Sequence, residues 1–135
     1  MFKAIPIAIA VTVAAPIAAM AEPACGLYQY KARIVSVTDG DTVRADIDLG
    51  FNTWRHNEPL RLYGIDTPEM KGETKAAGQT AKEALEGRIL GKEVILCTIK
   101  DKQEKYGRYL AEIYIGDELI NDWLLEKGYA EPYIP

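Results

Sequence analysis

Two acidic stretches, Asp39-Gly40-Asp41-Thr42 and Asp66-Thr67-Pro68-Glu69, lie close together in the chain, the second preceded by Arg61-Leu62-Tyr63-Gly64-Ile65. A third polar island, Lys105-Tyr106-Gly107-Arg108, follows further on. Carboxylate oxygens favour hard cations such as calcium or magnesium. Such an ion polarises a phosphoryl oxygen, and arginine matches phosphate with two parallel N–H donors. One carboxylate is left over for work on a water proton. Together these are the parts needed to cut a phosphodiester. A softer metal set is missing, because His56 is the sole histidine and the two cysteines, Cys25 and Cys97, are far apart in sequence.

These residues need elements to position them. Residues 28–37 (YQYKARIVSV) alternate and become β-branched, which predicts a strand. Asp39-Gly40 makes a tight turn, and residues 42–48 alternate again, completing a hairpin. Residues 49–59, with Gly50, Asn52, Asn57 and Pro59, read as a long connection, and residues 60–65 as a third strand stopped by Pro68. Ala77, Ala81, Leu85 and Ile89 form a helical stripe over 76–90, closed by Gly91. Strands are predicted at 93–99 and 109–115 around a charged loop at 100–105. A last helix spans 119–127, with Ile120, Trp123, Leu124 and Lys127 on neighbouring turns and Gly128 as its stop. The chain is therefore mainly β with helices (α+β). Five short strands with a helix between the third and fourth suit a small closed barrel of the OB type. Periodicity alone leaves an unrelated α+β sandwich equally open.

In this arrangement Asp41 and Asp66 fall at strand ends, where loops can bring both carboxylates to one ion. Glu69 comes three residues after Asp66 and beyond Pro68, which redirects the chain. It can therefore face the ion's water without ligating the ion. Taken singly, each residue has a plainer role. Asp39 is a turn former capping its own backbone, Thr42 supports a neighbour, Arg61 pairs with surface acids and Arg108 is a solvated loop residue. Phe51, Trp54 and His56 either stack on bases or cover the barrel's open end.

The tetrad DGDT, the segment RLYGIDTPE and the island KYGR, in this order around five strands, resemble the thermonuclease (staphylococcal nuclease-like) family. The resemblance covers nearly all of residues 28–129, and the DTPE segment with its preceding Arg is the most specific part. It implies an OB-fold barrel with a helix after the third strand and another after the fifth. It also implies calcium held by Asp41, Asp66 and the main-chain oxygen of Thr67. Glu69 matches the general base, or the group that positions the attacking water, and Arg61 and Arg108 match the phosphate-binding arginines. Lys105 and Tyr106 match positions that approach substrate. The implied reaction is hydrolysis of DNA and RNA with 3′-phosphate products.

The ends and the charge set further bounds. Met1-Phe2-Lys3 is followed by an uncharged run from Ala4 to Ala21 that closes on Ala19-Met20-Ala21. This reads as a secretory signal peptide over 1–21, then a short leader over 22–27 and one domain over 28–135. A retained membrane anchor is the competing reading of the same run. The expected location is the periplasm or the medium, with no stable membrane association after cleavage. Losing Lys3 leaves 15 basic residues against 20 acidic ones, a charge of −5. That counts against tight, extended nucleic-acid binding, which needs a basic face. The even cysteine count of an exported chain suits one disulfide. Two thiols, with Cys97 as a buried strand residue, is the alternative. No residue pattern indicates a protein partner. Two rival functions remain: a non-catalytic nucleic-acid-binding OB module, and an OB domain binding protein or carbohydrate through a metal-free cleft.

Overall fold

The computed structural model describes residues 3–10, 12 and 25–134. The junction Ala19-Met20-Ala21 expected to be cleaved lies outside the described residues, and residues 3–10 and 12 hold no helix or strand. Among the described residues no helix is long and apolar enough to cross a membrane.

The strands are β1 (Gln29–Asp39), β2 (Thr42–Asp48), β3 (Trp54–Leu62), β4 (Ile65–Asp66), β5 (Glu93–Gln103), β6 (Tyr109–Ile115), β7 (Glu118–Leu119) and β8 (Glu131–Pro132). The helices are α1 (Lys75–Ile89), entered through a 3₁₀ turn at Gly72–Thr74, and α2 (Ile120–Glu126). The main sheet runs β3-β2-β1-β5-β6-β7, and a parallel pairing of β3 with β6 (Leu60 opposite Tyr109, Leu62 opposite Ala111) closes it. Five strands thus form a closed barrel, with a helix after the third barrel strand and another after the fifth. The OB-type expectation holds. Closure removes the free sheet edges that would otherwise invite pairing with other chains.

Alternation fills the barrel. Ala32, Ile34 and Val37 of β1, Val43, Ala45 and Ile47 of β2, Leu60 and Leu62 of β3, Val94 and Leu96 of β5, and Ala111 and Ile113 of β6 share one core. A bulge breaks the β1–β2 register between Ile34 and Ser36 and leaves Val35 facing outward, 38% exposed. Leu85 and Ile89 of α1 and Ile120 and Leu124 of α2 join the core from outside the barrel.

Three expectations need correction. β3 begins at Trp54, not Leu60, so the connection before it is only 49–53. A bulge between β2 and β3 lies opposite Asp46, where Asn57 takes a left-handed backbone (φ 55°) and its amide donates to Asp46 Oδ1 at 2.8 Å. Asn57 and Pro59 thus mark an irregular strand rather than a loop. β5 continues through the charged residues to Gln103, which pairs with Tyr109. The buried stripe of α1 starts at Gly78, with Ala77 exposed. A strict four-residue spacing drifts off a 3.6-residue helix, and 78, 81, 85, 89 follows it better. Short strands β4, β7 and β8 were not expected from the sequence.

Cys25 and Cys97 form a disulfide with Cα atoms 5.7 Å apart. The open question about the two thiols resolves in favour of the bridge.

Candidate functional site

Strand directions gather the singled-out residues at one end of the barrel. β1 delivers Asp39 and turns through Gly40 to Asp41. β3 delivers Arg61 at its far end, and β4 with the loop behind it carries Asp66, Thr67 and Glu69. The β5–β6 loop carries Lys105, Tyr106 and Arg108. All eight residues expected at the site, Asp41, Arg61, Asp66, Thr67, Glu69, Lys105, Tyr106 and Arg108, line one cleft of ≈ 760 Å³. The β1–β2 and β5–β6 loops that flank it are those by which OB barrels hold oligomeric ligands.

The turn at Gly40 is tight because helix α1 presses on it. A Cβ at Gly40 would lie 2.8 Å from both Ala81 Cβ and Thr67 Cγ2. Asp39 behaves as the turn former expected of it, its Oδ1 accepting the Asp41 amide at 3.0 Å. The Asp41 carboxylate is buried and held on both oxygens. Thr67 donates its amide (3.0 Å) and hydroxyl (3.1 Å) to Oδ2, and Thr42 donates its hydroxyl to Oδ1 at 3.1 Å. Arg61 Nη2 lies 3.4 Å from Asp41 Oδ2 and 3.4 Å from Asp66 Oδ1, so one nitrogen bridges the two carboxylates.

Negative charge is in excess here. Burial, then a shared hydrogen bond and charge repulsion with Asp41, push Asp39 up to about 6. Burial would also raise Asp41, but its hydrogen bonds with Asp39 and the Thr67 amide, and Arg61 beside it, hold it below the usual carboxylate range. Asp66 is raised by burial and by the charge of Asp41. A single guanidinium does not neutralise this group, and the chemistry of the donors fits a hard divalent cation. Among the described residues no three His, Cys, Asp or Glu side chains close into a metal cage. The protein's share of the shell would be Asp41, Asp66 and the Thr67 main-chain oxygen, with water and phosphate completing it.

Arg108 is clamped more firmly than Arg61. Its Nε and Nη2 donate to Glu104 Oε1 and Oε2 at 3.0 and 3.1 Å, and its Nη1 donates to Thr42 Oγ1 at 3.0 Å. Glu104 also accepts the amides of Tyr106 and Arg108, each at 3.0 Å, which shapes the whole loop. The hydrogen bond to Arg108 lowers Glu104, and Glu104 raises Arg108 in turn. Thr42 therefore connects Asp41 to Arg108. Lys105 Nζ and Arg108 Cζ lie 4.9 and 5.4 Å from the ring centroid of Tyr106, a residue 71% exposed. Glu69 is exposed, and among the described residues its carboxylate accepts no hydrogen bond.

Sequence reasoning missed Glu104. The signal available was an acid four residues before Arg108 across a Gly-containing turn. The aromatic residues Phe51, Trp54 and His56 stay outside the cleft, near the opposite end of the barrel. Trp54 and His56 stack with centroids 6.2 Å apart, and Phe51 is fully exposed and covers nothing.

The sequence matches the family model of the staphylococcal nuclease homologues over residues 59–134. That stretch holds seven of the eight expected site residues, and the β1–β2 turn adds Asp41 together with Asp39 and Thr42. An uncharacterised protein of Methanocaldococcus jannaschii is 34% identical over 130 residues, covering 78% of this chain and 60% of that protein. The thermonuclease of Staphylococcus hyicus is 32% identical over 101 residues, 73% of this chain and 56% of its own length. That of Staphylococcus intermedius is 35% identical over 97 residues, 70% of this chain and 54% of its own. The chain spans little more than half the length of these relatives.

Proposed function

Because the chain belongs to the staphylococcal nuclease family, we propose that it is an exported, calcium-dependent nuclease that hydrolyses DNA and/or RNA with low sequence specificity, leaving 3′-phosphates. One observation carries this reading: a single cleft collects two bridged carboxylates, a spare carboxylate and two arginines.

Each side chain has a task that its surroundings suit. Asp41, Asp66 and the Thr67 carbonyl would hold the calcium, which when bound would supply Lewis-acid polarisation of the phosphoryl oxygen. Glu69, whose carboxylate has no partner among the described residues, takes the proton of the attacking water as the water oxygen bonds to phosphorus. The P–O5′ bond breaks, and the 5′ oxygen leaves as a hydroxyl with a proton drawn from solvent. Arg108 is held in plane by Glu104 and meets the charge growing on phosphorus with its remaining N–H groups. Arg61 donates from Nη1 to Leu62 O at 2.8 Å, and among the described residues its Nε has no partner and is left for phosphate. Lys105 and Tyr106 extend contact to the flanking nucleotide. Arg61, Lys105 and Arg108 in the cleft would grasp phosphates rather than base edges, which agrees with low specificity.

Cleavage of single-stranded DNA, double-stranded DNA and RNA, with calcium and with chelator, tests the reading. Calcium-dependent products bearing 3′-phosphates are expected. Binding without cleavage would favour the non-catalytic module. Glu69→Gln should retain calcium affinity in calorimetry while turnover falls by about 10²–10⁴-fold. Asp41→Asn should weaken both together. For export, N-terminal sequencing of protein recovered outside the cytoplasm should begin at Glu22, and a retained Met1 would refute cleavage.

A further inference from the structure

Glu69 is aimed by its backbone alone, since its exposed carboxylate has no partner among the described residues. That backbone is seated on the first turns of α1. Thr74 Oγ1 donates to the Glu69 carbonyl at 2.7 Å and more weakly to Lys71 O at 3.3 Å. Thr74 occupies the N-cap position of α1, where a threonine hydroxyl ordinarily accepts a helix amide, yet it makes no cap bond. Its hydroxyl is turned back on Glu69 instead.

One turn into the helix, Gly78 is buried. A Cβ there would come within 2.7 Å of Pro68 O and 2.8 Å of Glu69 O, backbone atoms that cannot rotate aside. Glycine inside a helix costs about 1 kcal/mol relative to alanine, so its presence calls for a packing reason. The reason here is room for two carbonyls. Further along the same helix, Ala81 abuts the Gly40 turn that carries Asp41. Helix α1 therefore supports both the turn of the candidate metal carboxylate and the peptide of the candidate base.

We infer that Thr74 and Gly78 are positioning residues for Glu69, acting on the turnover step and not on calcium binding. The inference rests on reading Glu69 as the general base. Proton transfer from a bound water tolerates little misplacement, and an error of about 1 Å can cost on the order of 10²-fold.

The test combines single-turnover cleavage, calcium calorimetry and thermal melting for Thr74→Val, Thr74→Ser, Gly78→Ala and Glu69→Gln, with each of the first three also placed on the Glu69→Gln background. Gly78→Ala should slow cleavage by about 10–10²-fold and Thr74→Val by several-fold. Thr74→Ser, which keeps the hydroxyl, should cleave near the parent rate. Calcium affinity should hold within about twofold throughout, and on the Glu69→Gln background the losses should vanish, as expected for residues acting through one group. Thr74 is exposed, so its variants decide the matter even if Gly78→Ala fails to fold. The inference is overturned if Thr74→Val cleaves at the parent rate, or if its loss persists undiminished beside Glu69→Gln. A parent rate for Glu69→Gln alone would instead remove the general base, and this inference with it.

Discussion

Asp39 and Asp41 sit two residues apart on one turn, and the fold settles which of them carries charge easily. Asp41 receives the Thr67 donors and Arg61, while Asp39 is left with burial and a like-charged neighbour. An acid raised from 3.8 to about 6 on folding makes the native state hold its proton more tightly than the unfolded chain does. Below both values the residue is neutral in either state and has no effect. As pH rises from about 4 to about 6, the unfolded chain ionises while the folded one still holds the proton, so stability falls through that window. Asn keeps the Oδ1 that accepts the Asp41 amide. Asp39→Asn should therefore raise the melting temperature at neutral pH in chelator, with the gain shrinking to nothing below about pH 4. A gain of equal size at every pH would refute this account. Arg108 offers a second residue-scale test. Lysine keeps the charge but cannot make the two-pronged contact with Glu104, so Arg108→Lys should lose most of its turnover. Single-turnover cleavage rates at saturating calcium check it.

At the scale of elements, α2 is tied to the barrel by a residue the sequence did not advertise. Asn121 is 3% exposed. Its Oδ1 accepts the Ile113 amide at 3.1 Å, and its Nδ2 donates to Tyr63 O at 2.9 Å and Ala111 O at 3.1 Å. Asn121→Ala would strip the Ile113 amide and Tyr63 O of this partner, while Ala111 O keeps the Tyr63 amide at 2.8 Å, at a cost of about 2–4 kcal/mol in urea unfolding. A change below about 0.5 kcal/mol would show that the amide is replaceable. An asparagine among apolar helix positions reads as a surface residue, because its partners come from segments far off in sequence. The same limit explains the other misses. Strands whose inner face alternates, such as Val43, Ala45 and Ile47, were legible. The outer half of β3 was not, because Trp54, Arg55, His56 and Asn57 are all exposed. It is a strand only through its pairing with β2. The candidate site was legible almost whole, since its residues come in short runs at loop positions. Glu104 escaped because its role is to hold Arg108, and a supporting contact has no signature of its own.

On the scale of the whole molecule, the Cys25–Cys97 bridge ties the segment before β1 to the middle of β5, where Cys97 stands opposite Gln29. Closing a loop of 72 residues removes freedom from the unfolded chain worth about 4 kcal/mol in the chain-entropy model. For a small domain that is a large share of a typical stability. Neither cysteine lines the cleft, and the turn, loops and helix that shape it are held by their own hydrogen bonds. Stability and chemistry should therefore separate. Reduction, or a Cys25→Ala/Cys97→Ala double variant, should lower unfolding stability by about 3–5 kcal/mol while leaving the cleavage rate near the parent value at temperatures where the domain remains folded. Two reactive thiols in denatured, unreduced protein would rule out the bridge. A matched loss of rate and stability below the melting transition would mean that the bridge holds the cleft in shape, against the separation argued here.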